Sequence, residues 1–381
     1  MAKGKTTKVW PDRGLLVATL LLASVGLVMV FSSSAVMSEE RYGSAYLFLR
    51  KQLAWDALGL VFLFICLRVD YHRWQKWSYF LLGTSIVALV AVLAVGPLIK
   101  GARRWIHMGP VSFQPSELAK LALILVLATY LDRHKSQVKD LPRGYVPLMG
   151  IIGVVCGLIV LEPDLGSAVL LATVGIILLF LAGARWKHLF STVAASTVPL
   201  YFLLFHVAFR RRRLLTFLNP WADPQRGGYQ ITQSMMAFGS GGIWGKGLGA
   251  STLKLLYLPD PHTDFIFPII GEELGFLGAL ALIALFIYWG WRGWQTAKRA
   301  PDLFGQMVAS GITSWVLFQA AINMGVSCGM LPTKGLPLPF ISFGGSSMVI
   351  TMAAAGILLN VSAQSSWDKV QTFSRSRVRA N

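Results

Sequence analysis

Residues 145–182 read YVPLMGIIGVVCGLIVLEPDLGSAVLLATVGIILLFLA. Two apolar runs flank the hexapeptide Glu162-Pro163-Asp164-Leu165-Gly166-Ser167, and the stretch holds no Lys or Arg. Proline and glycine punctuate chain reversals. A bilayer-crossing helix needs about 20 mostly apolar residues, so the stretch reads as two antiparallel membrane helices joined by a tight turn. Eight further apolar runs lie on either side, near 15–36, 52–68, 79–96, 116–131, 189–208, 265–290, 304–330 and 345–362. The expected fold is an all-α polytopic membrane protein, with about ten transmembrane helices and one large ordered extracytoplasmic loop.

Composition agrees. Of 381 residues 55% are apolar and only 14% charged, against roughly 25% charged in soluble domains. So few charges cannot screen that much apolar surface from water. The same figures exclude a disordered, collagen-like or disulfide-rich chain. Cys66, Cys156 and Cys328 all fall in apolar segments and read as small core residues. The net charge of +18 would suggest nucleic acid on a soluble chain. Here the basic residues sit between apolar runs, where they meet lipid headgroups and set topology, and no nucleic-acid partner is expected.

Residues 1–14 are basic and precede the first run, which reads as a retained signal-anchor helix. Residues 15–362 form a single membrane domain, and 363–381 a basic C-terminal tail. Ten spans place both termini on one side. Twenty Lys and Arg fall on that side and fourteen opposite, seven of the fourteen in the long loop 208–264. Long loops count little for orientation, so the short loops favour cytoplasmic termini. The 162–167 turn and the 208–264 loop then face outward. That loop carries Trp221, Tyr229, Trp244 and Tyr257 with a series of glycines, which favours ordered structure close to a ligand.

Charges at a membrane edge are functional candidates. Ser116, Glu117 and Lys120 share one helix face, either as a structural ion pair or as the polar wall of a cavity. Asp164 can cap the helix after its turn, or act with Glu162 to bind a metal or steer a polar substrate. Arg210 to Arg213 oppose the usual charge bias; they suit phosphate or pyrophosphate, or simply headgroups. Arg103 and Arg104 could join that basic patch. Asp264, where the chain re-enters the membrane, is either an N-cap competing with Thr263 or a carboxylate whose pKa a partly dry boundary raises, making it a better base. Glu272 and Glu273 must face protein or water. No Walker A motif, dinucleotide fingerprint or H-x-x-x-H pair occurs. From the residues alone, the chain has an outward basic site suited to an anionic lipid-linked substrate.

Several motifs occur in one order along the chain. They are Gly101-Ala102-Arg103-Arg104-Trp105-Ile106, Phe113 to Lys120 (FQPSELAK), Pro163-Asp164-Leu165-Gly166, Gly228-Tyr229-Gln230, His262 to Phe267 (HTDFIF) with Gly271 to Gly275 (GEELG), and Leu338 to Ser347 (LPFISFGGSS). The set resembles the SEDS (shape, elongation, division, sporulation) family from the first span to the tenth. Leu331 to Leu336 (LPTKGL), and Gly245 to Gly249 leading through Lys254 to Tyr257-Leu258-Pro259, resemble the division-type branch more than the elongation-type. Asp260-Pro261 and Pro268 depart from the family pattern; Pro268 should tighten or kink the eighth span.

The resemblance implies a peptidoglycan glycosyltransferase that polymerises lipid II on the outer face of the bacterial cytoplasmic membrane, at the division septum. It would work with a class B penicillin-binding transpeptidase of the FtsI type and other divisome membrane proteins. It implies Asp264 as the essential acid. It implies Glu117, Lys120 and Asp164 in the central cavity and Arg210 with its neighbours at the basic start of the large loop; the full set of expected contacts to lipid II and undecaprenyl-linked glycan is Arg103, Arg104, Glu117, Lys120, Asp164, Arg210, Arg213, Gln233, Ser234, Lys246, His262, Thr263, Lys334 and Ser342. A divalent cation, Mg or Mn, is the one cofactor considered. Rival functions are a lipid II flippase and a non-catalytic division scaffold.

Overall fold

The computed structural model describes residues 10–99, 101–109, 111–224, 228–251 and 262–380. Lys254, Tyr257-Leu258-Pro259, Asp260-Pro261 and residues 1–9 of the basic N-terminus lie outside that set. Ten helices occupy the ten apolar runs. They are α1 (Arg13–Tyr42), α2 (Leu47–Arg68), α3 (Tyr71–Val95), α4 (Pro115–Arg133), α5 (Val146–Leu161), α6 (Leu165–Leu181) and α7 (Trp186–Phe205), then α10 (Ile266–Arg299), α11 (Leu303–Ser327) and α12 (Gly345–Ala380). Two shorter helices, α8 (Ala208–Leu218) and α9 (Tyr229–Gly241), lie in the large loop.

Among the described residues, seven segments have both the length and the apolarity to cross a membrane. The other three spans fall short for visible reasons: α6 is apolar but has 17 residues, while α2 and α4 carry charges such as Asp56, Glu117 and Lys120. The apolar side chains that remain exposed, such as Val61, Phe62, Phe64 and Ile65 on α2, form the lipid-facing surface. By contrast α4 is buried along nearly its whole length, against α3, α5, α6, α11 and α12. Its start is set by Pro115 in the first turn, where the missing N–H costs nothing.

Three features depart from the sequence reading. A two-stranded antiparallel hairpin, β1 (Ile106–Met108) and β2 (Val111–Phe113), interrupts the all-helical pattern and leads into α4. The tail beyond residue 362 continues as helical backbone of α12 to Ala380.

The third is a break in α10, which occurs at Gly275 rather than at Pro268. Pro268 lies in the first turn and is tolerated there. Gly275 has φ 69° and ψ −169°, a conformation that glycine alone takes readily. The break frees backbone groups that the segment 242–247 satisfies. Lys246 N and Gly247 N donate to the carbonyls of Glu272 and Glu273, and Phe276 N and Leu277 N donate to those of Gly242 and Ile243. The Glu272 carboxylate accepts from Lys246 Nζ at 2.7 Å, Ser240 Oγ at 3.2 Å and Ser251 Oγ at 2.5 Å. Glu273 accepts from Ser32 Oγ on α1. The Glu-Glu pair therefore faces protein, and the large loop is sewn into the break.

Candidate active site

The segment between α11 and α12, residues 328–344, crosses the end of the bundle as an irregular strap. On one side it touches the α5–α6 turn. A β-carbon at Gly166 would meet Lys334 Cδ at 3.4 Å and Asp164 Oδ1 at 3.5 Å. On the other side it touches the re-entry into α10. A β-carbon at Gly335 would lie 2.7 Å from Asp264 Oδ2, so only a residue without a side chain lets that carboxylate approach. Ser342 Oγ donates to Thr263 O at 2.5 Å, and Phe343 N donates to His262 O at 2.9 Å. The His262 ring packs between Phe48 and Phe343.

Asp264 is not the N-cap residue of α10. The N-cap of α10 is Phe265, and no side chain bonds there. The capping alternative thus fails for Asp264 and Thr263, because the helix begins two residues after the carboxylate. Asp164 does cap α6, accepting from Ser167 N at 3.1 Å and Ser167 Oγ at 2.7 Å.

Cations gather over this floor. Arg104 grips the turn, with Nε donating to Glu162 O at 2.9 Å and Nη2 to Pro163 O at 2.6 Å. Arg213 Nη1 donates to Thr333 O on the strap at 3.3 Å. Burial and the Arg104 charge lower the pKa of Arg210 and Arg213, and Asp264 opposes the shift at Arg213. Burial and Arg210 also lower Lys334, against the pull of Asp164. The charge of Arg104 acts on Arg210 and Arg213, and that of Arg210 on Lys334, so these side chains form a site of positive potential suited to a phosphate-bearing group.

Other residues singled out in the sequence lie elsewhere. Arg103 turns away and donates to Leu93 O and Ala94 O at the end of α3. Ser234 Oγ donates to Ser327 O, tying α9 to α11. Gln233 is half-buried on α9, and Lys246 pairs with Glu272. Lys120 and Glu117 form an ion pair of 2.9 Å with almost no exposed surface. Among the described residues no group of three or more His, Cys, Asp or Glu could hold a metal ion. Both Asp164 oxygens accept from Ser167, and the described residues build no three-ligand cluster around the Mg or Mn considered above.

The FtsW/RodA/SpoVE model, a cell cycle protein family, matches residues 13–367. The chain belongs to that family. It is 42% identical over 355 residues to a probable peptidoglycan glycosyltransferase FtsW of Geobacter metallireducens, covering 93% of this chain and 95% of that one. It is 41% identical over 362 residues to the stage V sporulation protein E of Bacillus subtilis, covering 94% and 99%. Its fold matches a chain from a peptidoglycan synthase complex with a TM-score of 0.76, at 30% identity over 93% of this chain and 98% of that one. RodA of Thermus thermophilus gives a TM-score of 0.67 at 29% identity, over 92% and 96%. The SEDS resemblance is thereby established, and the chain is a polytopic bacterial membrane protein of a glycosyltransferase family.

Within this family fold, the sequence reading passes over Gly335, Gln319 and Asn323 as site residues. Two carboxamides four residues apart in the apolar run 304–330 were the available signal.

Glu162 is also more unusual than its turn suggests. It is fully buried, and neither carboxyl oxygen has a hydrogen-bond partner. Burial and the Asp164 charge push its pKa up to about 8, with Arg104 opposing. The folded chain therefore keeps this proton over a pH range in which the unfolded chain, at the ordinary 4.5, has lost it. Its contribution to stability is full below pH 4.5 and is lost as pH rises to about 8. Glu162→Gln cannot ionise, so its thermal midpoint should gain on wild type across that window and hold a constant lead above it. Parallel midpoint curves for the two proteins would contradict this.

Proposed function

We propose that this protein polymerises lipid II into glycan strands on the outer face of the bacterial cytoplasmic membrane, in septal wall synthesis, with both termini cytoplasmic. The observation that carries the reading is the juxtaposition at the strap: the Asp264 carboxylate lies against Gly335 and acts on Arg213, Arg104 acts on Arg213 and Arg210, and Lys334 precedes Gly335 in the strap. A sugar hydroxyl is a poor nucleophile and needs a positioned base. A departing diphosphate needs positive charge that is already in place.

In the proposed step, the GlcNAc 4-hydroxyl of an acceptor lipid II attacks the anomeric carbon of MurNAc at the reducing end of the growing glycan. The new C–O bond forms with inversion as the bond to undecaprenyl pyrophosphate breaks. The hydroxyl proton passes to Asp264 and then to water. The cations hold the diphosphate as its charge grows. A class B transpeptidase of the FtsI type would crosslink the product, and other divisome membrane proteins would place the pair at the septum.

Purified chain and transpeptidase, given lipid II in detergent, should yield glycan strands. Detergent offers no bilayer to cross, so a flippase or a scaffold would leave lipid II unconsumed, and that result would end this reading.

A further inference from the structure

The strap forms no helix or strand, and side chains hold it beside a few main-chain bonds such as Phe343 N to His262 O. Two carboxamides on α11, one turn apart and both buried, do so. Gln319 Nε2 donates to Pro337 O at 2.8 Å, and Asn323 Nδ2 donates to Leu336 O at 2.7 Å. Asn323 Nδ2 makes a second bond, to Asp264 O at 2.9 Å. One NH2 group thus binds the main chain on both sides of the contact between the Asp264 carboxylate and Gly335. Both acceptors are carbonyl oxygens, which fixes the end of the amide that is nitrogen.

We propose that Asn323 is a positioning residue for glycosyl transfer, a clamp that locks the backbone of Asp264 to the strap and so sets where its carboxylate stands. The inference rests on reading Asp264 as the base. An aspartate carboxyl is only two bonds from its own Cα, so a shift of that main chain carries the carboxyl with it. Misplacing a reacting group by about 1 Å costs about 10²-fold in rate. Asn323 is 2% exposed and lies beneath the site. Two of the cations are anchored off the strap, Arg104 at the α5–α6 turn and Arg210 at Leu203 O on α7, while Arg213 and Lys334 meet it before the clamped Leu336. Loss of the clamp should therefore act chiefly on the chemical step and leave most of substrate binding in place.

The test uses full-length chain with its transpeptidase, on lipid II in detergent, and reads kcat, KM and thermal midpoint. Asn323→Leu should lower kcat about 10–100-fold with KM within about twofold. Asn323→Gln keeps a donor on a longer arm and should recover part of that loss. If Asn323→Leu cannot be purified folded, Asn323→Asp is read by the same criteria, since it keeps the shape and offers at most one donor to two carbonyls. The clamp is refuted by an unchanged kcat, by KM rising as far as kcat falls, or by a Gln variant as slow as Leu. Asp264→Asn is measured alongside. If it runs at wild-type speed, the base assignment fails; if it is slow while Asn323→Leu is not, the clamp alone fails.

Discussion

Asp264→Asn should slow lipid II polymerisation about 10²–10⁴-fold, the range expected for loss of a general base. The substitution keeps the shape of the side chain and removes its ability to take a proton. KM should change little, because the cation cluster that receives the diphosphate is held by Arg104 on the turn and Arg213 on the strap. The fold should also survive. Asp264 does not hold the N-cap position of α10, and the Asn323 and Ser342 bonds in this segment go to main-chain carbonyls of Asp264 and Thr263. Initial rates of glycan formation, with thermal midpoint as a control for folding, decide the matter. A loss of less than about tenfold would remove Asp264 from the chemistry.

The second large effect is on stability. Lys120→Met should cost about 3–5 kcal/mol, because it leaves Glu117 as an uncompensated charge in the interior of the bundle. Glu117 is 1% exposed and Lys120 fully buried. Lys120 Nζ also donates to Gln319 Oε1 at 3.0 Å and lies 5.5 Å from the centroid of Trp315. Glu117 Oε2 already has no partner, so no second donor stands ready. Removing both charges, as Glu117→Gln with Lys120→Met, should recover most of the loss, since a buried pair replaced together is often neutral. Thermal unfolding of the two variants in one detergent tests this. A single variant as stable as wild type would show that the pair is open to water.

The membrane helices were legible because an apolar run of helical length has few alternatives, and the Asp164 cap because Pro-Asp-Leu-Gly is local chemistry. What escaped the sequence depends on neighbours distant in the chain. Gly275 sits in GEELG, which continues a helical pattern, and only the loop 242–247 makes the break affordable. Arg103 and Arg104 are adjacent and equally basic, yet one turns to the end of α3 and the other to the α5–α6 turn. Asn323 and Gln319 look like tolerated polar residues in a span until the strap supplies their acceptors. The place of Asp264 was readable, but the cap position at Phe265 was not, because Thr263-Asp264 before an apolar run is the usual signature of a cap.

A helix interrupted at residue 275 is a poor torsion bar. Twist applied at the Lys298–Arg299 end is dissipated at the interruption, before it reaches the short piece that starts beside Asp264. That piece is fastened to Lys246 and Gly247 of the large loop. Mechanical messages to the reacting carboxylate should therefore arrive laterally, from whatever grasps that loop, and not lengthwise from the opposite membrane face.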